Sequence, residues 1–130
     1  MLLWSRSDQA MLKASCHCGA VTIEVTRKPR SVTRCTCSLC RRYGARWAYC
    51  SRKTAKVTCE PEAVTAYRWK SESLEFFHCN HCGCLTHYES VKKGVDSRIA
   101  VNARMMETAD IADVRVRTFD GADTWRYLDD

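Results

Sequence analysis

The chain has 130 residues, 45% of them hydrophobic and 28% charged, with a formal net charge of +6. That is the size and composition of one globular domain, and it excludes a disordered or collagen-like chain. Ten cysteines, about 8% of the chain, reach the lower edge of what marks a disulfide scaffold in a short secreted protein. Met1-Leu2-Leu3-Trp4 runs straight into Ser5-Arg6-Ser7-Asp8, without the apolar run of a secretory signal, and no window approaches a membrane span. The expectation is therefore a cytoplasmic chain, with no membrane partner, in which clustered cysteines are metal ligands or catalytic thiols.

Residues 1–10 are polar without a period and read as a disordered extension, which leaves one domain over residues 11–130. Met11-Leu12-Lys13 starts the first strand. Val21, Ile23 and Val25 alternate with Thr22, Glu24 and Thr26, the period of a half-buried strand, which Arg27-Lys28-Pro29-Arg30 ends. Further strands are predicted over 32–37, 46–51, 55–59, 65–70, 74–79, 84–90, 97–103 and 114–119. Ser38 is placed to cap a short helix from Leu39 to Tyr43, with Gly44 as its stop. A second helical turn is predicted over 106–111. The fold class is mainly β with one or two short helical turns, and Trp47, Trp69, Phe77 and Phe119 fall inside strand patterns as core aromatics.

Seven of the ten cysteines form three tight clusters: Cys16-x-Cys18, Cys35-x-Cys37-x-x-Cys40 and Cys79-x-x-Cys82. Cysteines two apart on a strand share a face, and a C-x-x-C knuckle followed by glycine turns both sulfurs toward one point. Gly19 and Gly83 stand where such turns need them. Zinc takes four ligands in a tetrahedron, and Cys16, Cys18, Cys79 and Cys82 add up to one closed structural site. It would join the first strand to a hairpin some 60 residues later and add folding free energy directly. The middle cluster supplies three thiolates, the ligand number of a catalytic zinc with one exchangeable position. Its alternative is closure by Cys50, Cys59, Cys84 or one of His17, His78, His81 and His87. The expected complement is two zinc ions per chain. A helix beginning at Ser38 and Leu39 would place its positive end between Cys37 and Cys40 and favour their thiolates.

Charge is distributed unevenly. Arg27 to Lys56 contains ten basic residues and no acidic one, whereas Glu107 to the last residue contains seven acids and three arginines. The basic segment carries the three-cysteine cluster, so an incompletely closed metal there would lie in a field attractive to anions, with Arg34, Arg41, Arg42 and Arg46 near enough in sequence to bind a substrate. Two partner classes follow: a small anionic thiol or carboxylate, or nucleic acid stacking on Tyr43, Trp47 and Tyr49. A solvated basic face that offsets an anionic metal site explains the same residues.

Three segments carry a resemblance. Ser15-Cys16-His17-Cys18-Gly19-Ala20-Val21, Cys35-Thr36-Cys37-Ser38-Leu39-Cys40-Arg41-Arg42-x-Gly44 and Phe77-His78-Cys79-Asn80-His81-Cys82-Gly83 resemble the glutathione-dependent formaldehyde-activating enzyme family, which includes centromere protein V. The resemblance runs from about Met11 to Val101 and includes Val64-Thr65-Ala66-Tyr67-Arg68; the tail after Ala103 is less diagnostic. It implies a small zinc-stapled antiparallel β fold, like that of the zinc proteins that assist Rab nucleotide exchange. It implies structural zinc on Cys16, Cys18, Cys79 and Cys82 and catalytic zinc on Cys35, Cys37 and Cys40. It also implies a carbon-sulfur lyase that reversibly joins glutathione and formaldehyde to S-(hydroxymethyl)glutathione. Where the family pattern has a small hydroxyl residue after Cys82-Gly83, this chain has Cys84, which either enters the core or reaches the second cluster.

A three-thiolate zinc is a weak Lewis acid but holds an added thiol as thiolate, which suits attack by a glutathione sulfur on formaldehyde while arginines grip the carboxylates. No strong general base is evident; His17 on strand parity points away from the sulfurs beside it. The rival reading is a non-catalytic zinc module whose basic segment binds nucleic acid or a protein. A third is thiol redox or metal buffering through Cys50, Cys59 and Cys84.

Overall fold

The computed structural model describes residues 11–69 and 73–129. The extension read over residues 1–10 and the end of the strand predicted to residue 70 lie outside them. Ten strands follow in chain order: β1 (Leu12–Ser15), β2 (Thr22–Val25), β3 (Ser31–Cys35), β4 (Trp47–Ser51), β5 (Ala55–Thr58), β6 (Val64–Arg68), β7 (Leu74–Cys79), β8 (Leu85–Ser90), β9 (Arg98–Asn102) and β10 (Arg115–Phe119). Helix α1 spans Ser38–Tyr43 and α2 spans Thr108–Ile111, with single 3-10 turns at Pro61–Ala63 and Ala103–Met105. Of the helical turn predicted over 106–111, Thr108–Ile111 form α2, while Met106 and Glu107 are extended and separate it from the preceding 3-10 turn. The expected mainly β class with short helices is what the chain adopts.

Strands β1, β2 and β5 form a three-stranded antiparallel sheet. The other seven form a second sheet in the order β10-β3-β4-β9-β8-β7-β6, antiparallel except for the parallel β10–β3 pair. One face of the large sheet packs on the small one. Leu12, Ala14, Ile23, Val25 and Ala55 meet Val32, Ala48, Ile99 and Val101, the alternate positions of each strand. This is the physical content of the alternation at Val21, Ile23 and Val25: all three are buried, while Glu24 between them is exposed.

The opposite face of the large sheet carries the other half of the pleat. Trp47 of β4, Phe76 of β7, Tyr88 of β8 and Ala100 of β9 build a second apolar cluster with Cys40 and Ala45. Trp47 and Tyr88 meet edge-on at 4.8 Å between ring centroids, and Phe76 lies 4.9 Å from Tyr88, spacings at which aromatic pairs attract. Helix α1 and the segment after β10 flank this face. The sheet thus has a structural side and an aromatic side, and β4, β9 and β8 stand between the two strands, β3 and β7, whose last residues belong to the two cysteine clusters.

Candidate metal centres and substrate cavity

Cys16, Cys18, Cys79 and Cys82 converge, with all four sulfurs within 4.8 Å of one another. Cys16 Sγ and Cys18 Sγ are 3.7 Å apart, and Cys18 Sγ and Cys79 Sγ 3.6 Å. Four sulfurs about 2.3 Å from one ion in a tetrahedron stand about 3.8 Å apart, so these residues fit zinc. Cys16 and Cys18 are not on a strand, as the two-residue spacing suggested, but in the turn between β1 and β2. There the Gly19 amide donates to Cys16 O at 3.1 Å, and Gly19 takes φ +86°, a conformation that disfavours any side chain. The β7–β8 turn mirrors it: the Gly83 amide donates to Cys79 O at 2.8 Å, with φ +80°. Two hairpin turns, one from each sheet, are thereby joined at one end of the sandwich.

Backbone amides point at these sulfurs. Val21 N donates to Cys16 Sγ and His81 N to Cys79 Sγ, each at 3.3 Å. The amides of Cys84 and Cys18 hold the Cys82 thiol down to about 5. Donors aimed at sulfur stabilise thiolate, the form a metal binds.

The second cluster joins Cys35, the last residue of β3, to Cys37 and Cys40 around α1, again with sulfurs within 4.8 Å of one another. The cap of α1 is Cys37 and not Ser38: Cys37 Sγ accepts from the Cys40 amide at 3.3 Å, so a sulfur of the cluster takes the place usually filled by a hydroxyl. Gly44 stops the helix in the left-handed conformation, as expected. Hydrogen bonding from the Cys40 thiol, helped by the amides of Cys37 and Gly121, holds Cys35 down to about 6, while the same contact and burial push Cys40 up. The Trp47 indole Nε1 is buried with no hydrogen-bond partner of ordinary length, and it favours the thiolate form of Cys40. Three thiols, one already ionising near neutrality and a buried N–H beside another, form an anionic donor set that fits a divalent metal.

None of the other sulfurs reaches this cluster. Cys84 packs with Cys59 against Cys16 and Cys79, where the His17 amide and the Cys82 side chain are its neighbours, and Cys50 lies under the core between the sheets. His87 is buried on the inter-sheet side, between Thr86 Oγ1 at 2.8 Å and Glu89 at 3.2 Å, and stacks on Phe77. All ten cysteines are free thiols, so the chain has no disulfide scaffold.

Cys35, Cys37 and Cys40 form one wall of a cavity of about 600 Å³ over the aromatic face of the large sheet. Trp47, Tyr49, Phe76 and Tyr88 rise from the sheet; Trp69, just after β6, and Ser73, just before β7, border it; Phe119, Trp125 and Tyr127 close it from the C-terminal side. Arg98 of β9 is the charged residue in this lining among the described residues, with its guanidinium 4.4 Å above the Tyr49 ring. Burial pushes the phenols of Tyr49 and Tyr88 up, so both hydroxyls stay protonated donors.

The four arginines expected to bind substrate do not line this cavity. Arg34 is exposed and donates to Thr118 Oγ1, Arg42 turns back to Ser38 O, Arg41 is exposed, and the Nε of half-buried Arg46 is enclosed without a partner. The remaining basic residues of the segment lie in the β2–β3 and β4–β5 connections and, for Lys56, on β5, and several are paired, Lys28 with Asp113, Arg52 with Glu89 and Lys53 with Asp96. Arg98 stands outside the basic run, and the ring it lies over, Tyr49, is 49 positions away in sequence, so no local pattern links the two. Of the aromatics read as core, Trp47 is buried, whereas Phe119 is half-buried against Trp125 and Tyr127; both face the cavity.

Gly121 marks a close approach. A Cβ there would lie 2.7 Å from Cys35 Sγ and 3.3 Å from Cys37 Cβ, so only glycine lets the chain pass the cluster. No helix among the described residues is long and apolar enough to cross a membrane.

Residues 11–121 match the family model described as glutathione-dependent formaldehyde-activating enzyme. Among curated proteins, none matches the chain. The chain is similar to a Rhodobacter sphaeroides protein whose crystal structure was determined as a structural-genomics target, at 29% identity with a TM-score of 0.64 over 81% of this chain and 99% of that one.

Proposed function

The chain belongs to the glutathione-dependent formaldehyde-activating enzyme family, and from that membership we propose that it is a zinc-dependent carbon-sulfur lyase that joins a small thiol, glutathione in the first instance, to formaldehyde. The observation that carries the proposal is the second cluster: three convergent thiols, with no fourth cysteine or histidine beside them among the described residues, opening onto a cavity large enough for a small molecule. Zinc on Cys35, Cys37 and Cys40 would supply a fourth position at which an added thiol gives up its proton at neutral pH. Zinc on Cys16, Cys18, Cys79 and Cys82 would be structural.

The residues of the cavity divide the remaining work. Arg98 offers the substrate carboxylate a guanidinium held in place by the Tyr49 ring. The aromatic floor gives the reacting atoms a largely apolar wall. The substrate sulfur attacks the carbonyl carbon, a C–S bond forms, and the carbonyl π pair moves to oxygen. That oxygen takes a proton, which the protonated hydroxyls of Tyr49 and Tyr88 in the lining are able to donate. Net, the thiol proton ends on the new hydroxyl, with nothing oxidised or reduced.

The test is magnetization-exchange NMR on carbon-13 formaldehyde and glutathione at equilibrium. The zinc-loaded protein is expected to speed exchange between free and thiol-bound formaldehyde, and Cys37→Ser to abolish the acceleration. Exchange no faster than in buffer refutes the proposal.

A further inference from the structure

The family match ends at residue 121, yet the cavity does not. Residues 122–129 turn back on β10 and supply Trp125 and Tyr127 to its wall. This segment is built in and not a loose tail. Asp120 N donates to Arg126 O at 2.7 Å, Trp125 N to Asp120 O at 2.7 Å and Leu128 N to Thr118 O at 2.9 Å. The Asp120 carboxylate accepts from Thr36 Oγ1 at 2.9 Å and from Thr124 N at 3.1 Å, which ties the turn to the residue between Cys35 and Cys37. Tyr127 is fixed by its hydroxyl 2.9 Å from Thr33 Oγ1 and by the Arg117 guanidinium 3.7 Å from its ring centroid.

Trp125 is the exception in this ordered segment. Its edge-to-face contact with Phe119 holds it at the cavity rim, yet 69% of it is exposed, and it has φ +61°, a conformation unfavourable for a bulky side chain. Strain maintained to hold an open aromatic face beside a cavity is the pattern of a ligand clamp. The rest of the lining has the same character: apart from the three thiols, it has seven further aromatic side chains and, among the described residues, one charged side chain, Arg98. Glutathione brings two carboxylates and an ammonium, and among the described residues the wall answers one of them.

Resting on the reading that a thiol is taken up at the second cluster, we propose that Trp125 and Tyr127 are specificity-determining residues, and that the cavity prefers a thiol carrying a flat apolar group and a single carboxylate over glutathione. The carboxylate lies on Arg98, the sulfur faces Cys35, Cys37 and Cys40, and the flat group fills the space under Trp125.

The probes are 2-mercapto-3-phenylpropionate, which has ring and carboxylate, 3-mercaptopropionate, which lacks the ring, and glutathione. Each is titrated calorimetrically into the zinc-loaded full chain and into Trp125→Ala. The phenyl thiol is expected to bind about tenfold more tightly than either of the others, and Trp125→Ala to erase that advantage. Equal affinities, or an advantage that survives Trp125→Ala, overturn the inference. The visible spectrum of the cobalt-loaded protein separates the two claims. Thiols that perturb it without a ring preference overturn the specificity proposal and leave the metal reading standing. A ring preference lost in Trp125→Ala with an unperturbed spectrum upholds the aromatic clamp and overturns thiol uptake at the metal.

Discussion

Replacing Gly121 by alanine tests whether the chain after β10 is part of the second metal centre. The added Cβ would sit 2.7 Å from Cys35 Sγ, where ordinary contact begins near 3.4 Å. The sulfur must therefore retreat by about 0.7 Å, several times the roughly 0.2 Å within which metal–ligand distances are held. Cys35 ends β3, which is bonded on both sides by β4 and β10, so the sulfur has little freedom to swing away without leaving the cluster. Perturbing groups that merely orient ligands costs about 10- to 100-fold in metal affinity; displacing a ligand sulfur is expected to cost at least about 100-fold, or about 2.7 kcal/mol. The four-cysteine cluster lies at β7, separated from β3 across the large sheet by β4, β9 and β8, and is expected to keep its ion. Competition with a chromophoric chelator on Gly121→Ala is thus expected to release one zinc readily and retain the other, with the melting temperature of the chelated sample close to that of the similarly treated native chain. Two ions held with native affinity would refute the placement of Gly121 against Cys35.

Three further outcomes follow from the geometry. Cys84→Ser keeps two metal ions and a native second centre, because Cys84 packs beside Cys82 and the His17 amide; loss of one ion, measured by elemental analysis, contradicts that placement. Arg98→Met raises the KM for glutathione about tenfold or more while Arg41→Met changes it little, since only Arg98 faces the cavity; equal effects in a steady-state assay contradict it. The His87 hydrogen bond, with help from Lys93 and Arg52, holds Glu89 down to about 2, below its ordinary 4.5. A carboxyl lowered on folding stabilises the fold above its ordinary value and loses that contribution as pH falls through the folded one. The difference in melting temperature between the native chain and Glu89→Gln is therefore expected to shrink between pH 4.5 and 2, read by circular dichroism; a constant difference refutes the contribution.

Period and spacing carried most of the fold and the sulfur clusters. Strand β7 falls at the predicted 74–79, and the other boundaries lie within a residue or two, because a β pleat writes burial into alternate side chains such as Ile23 and Val25. The convergence of Cys16 and Cys18 with Cys79 and Cys82 was legible because a knuckle needs a fixed spacing and a following glycine. The spacing did not distinguish strand from turn for Cys16 and Cys18, since both bring sulfurs two apart to one side. Nor did it give the α1 cap, because a cysteine at Cys37 does what serine usually does. What sequence could not show is what only the sheet order brings together. Arg98 meets Tyr49 through the β4–β9 ladder, and Gly121 meets Cys35 through the parallel β10–β3 pair, 86 residues apart.

The central claim is that the second ion has three protein sulfurs and one position for a thiol. X-ray absorption at the zinc edge of the doubly loaded protein reads this directly. One closed four-sulfur site and one three-sulfur site average about 3.5 sulfurs per zinc, and saturating glutathione is expected to raise the average to about 4. An average of about 4 before glutathione is added, unchanged by it, would contradict the account.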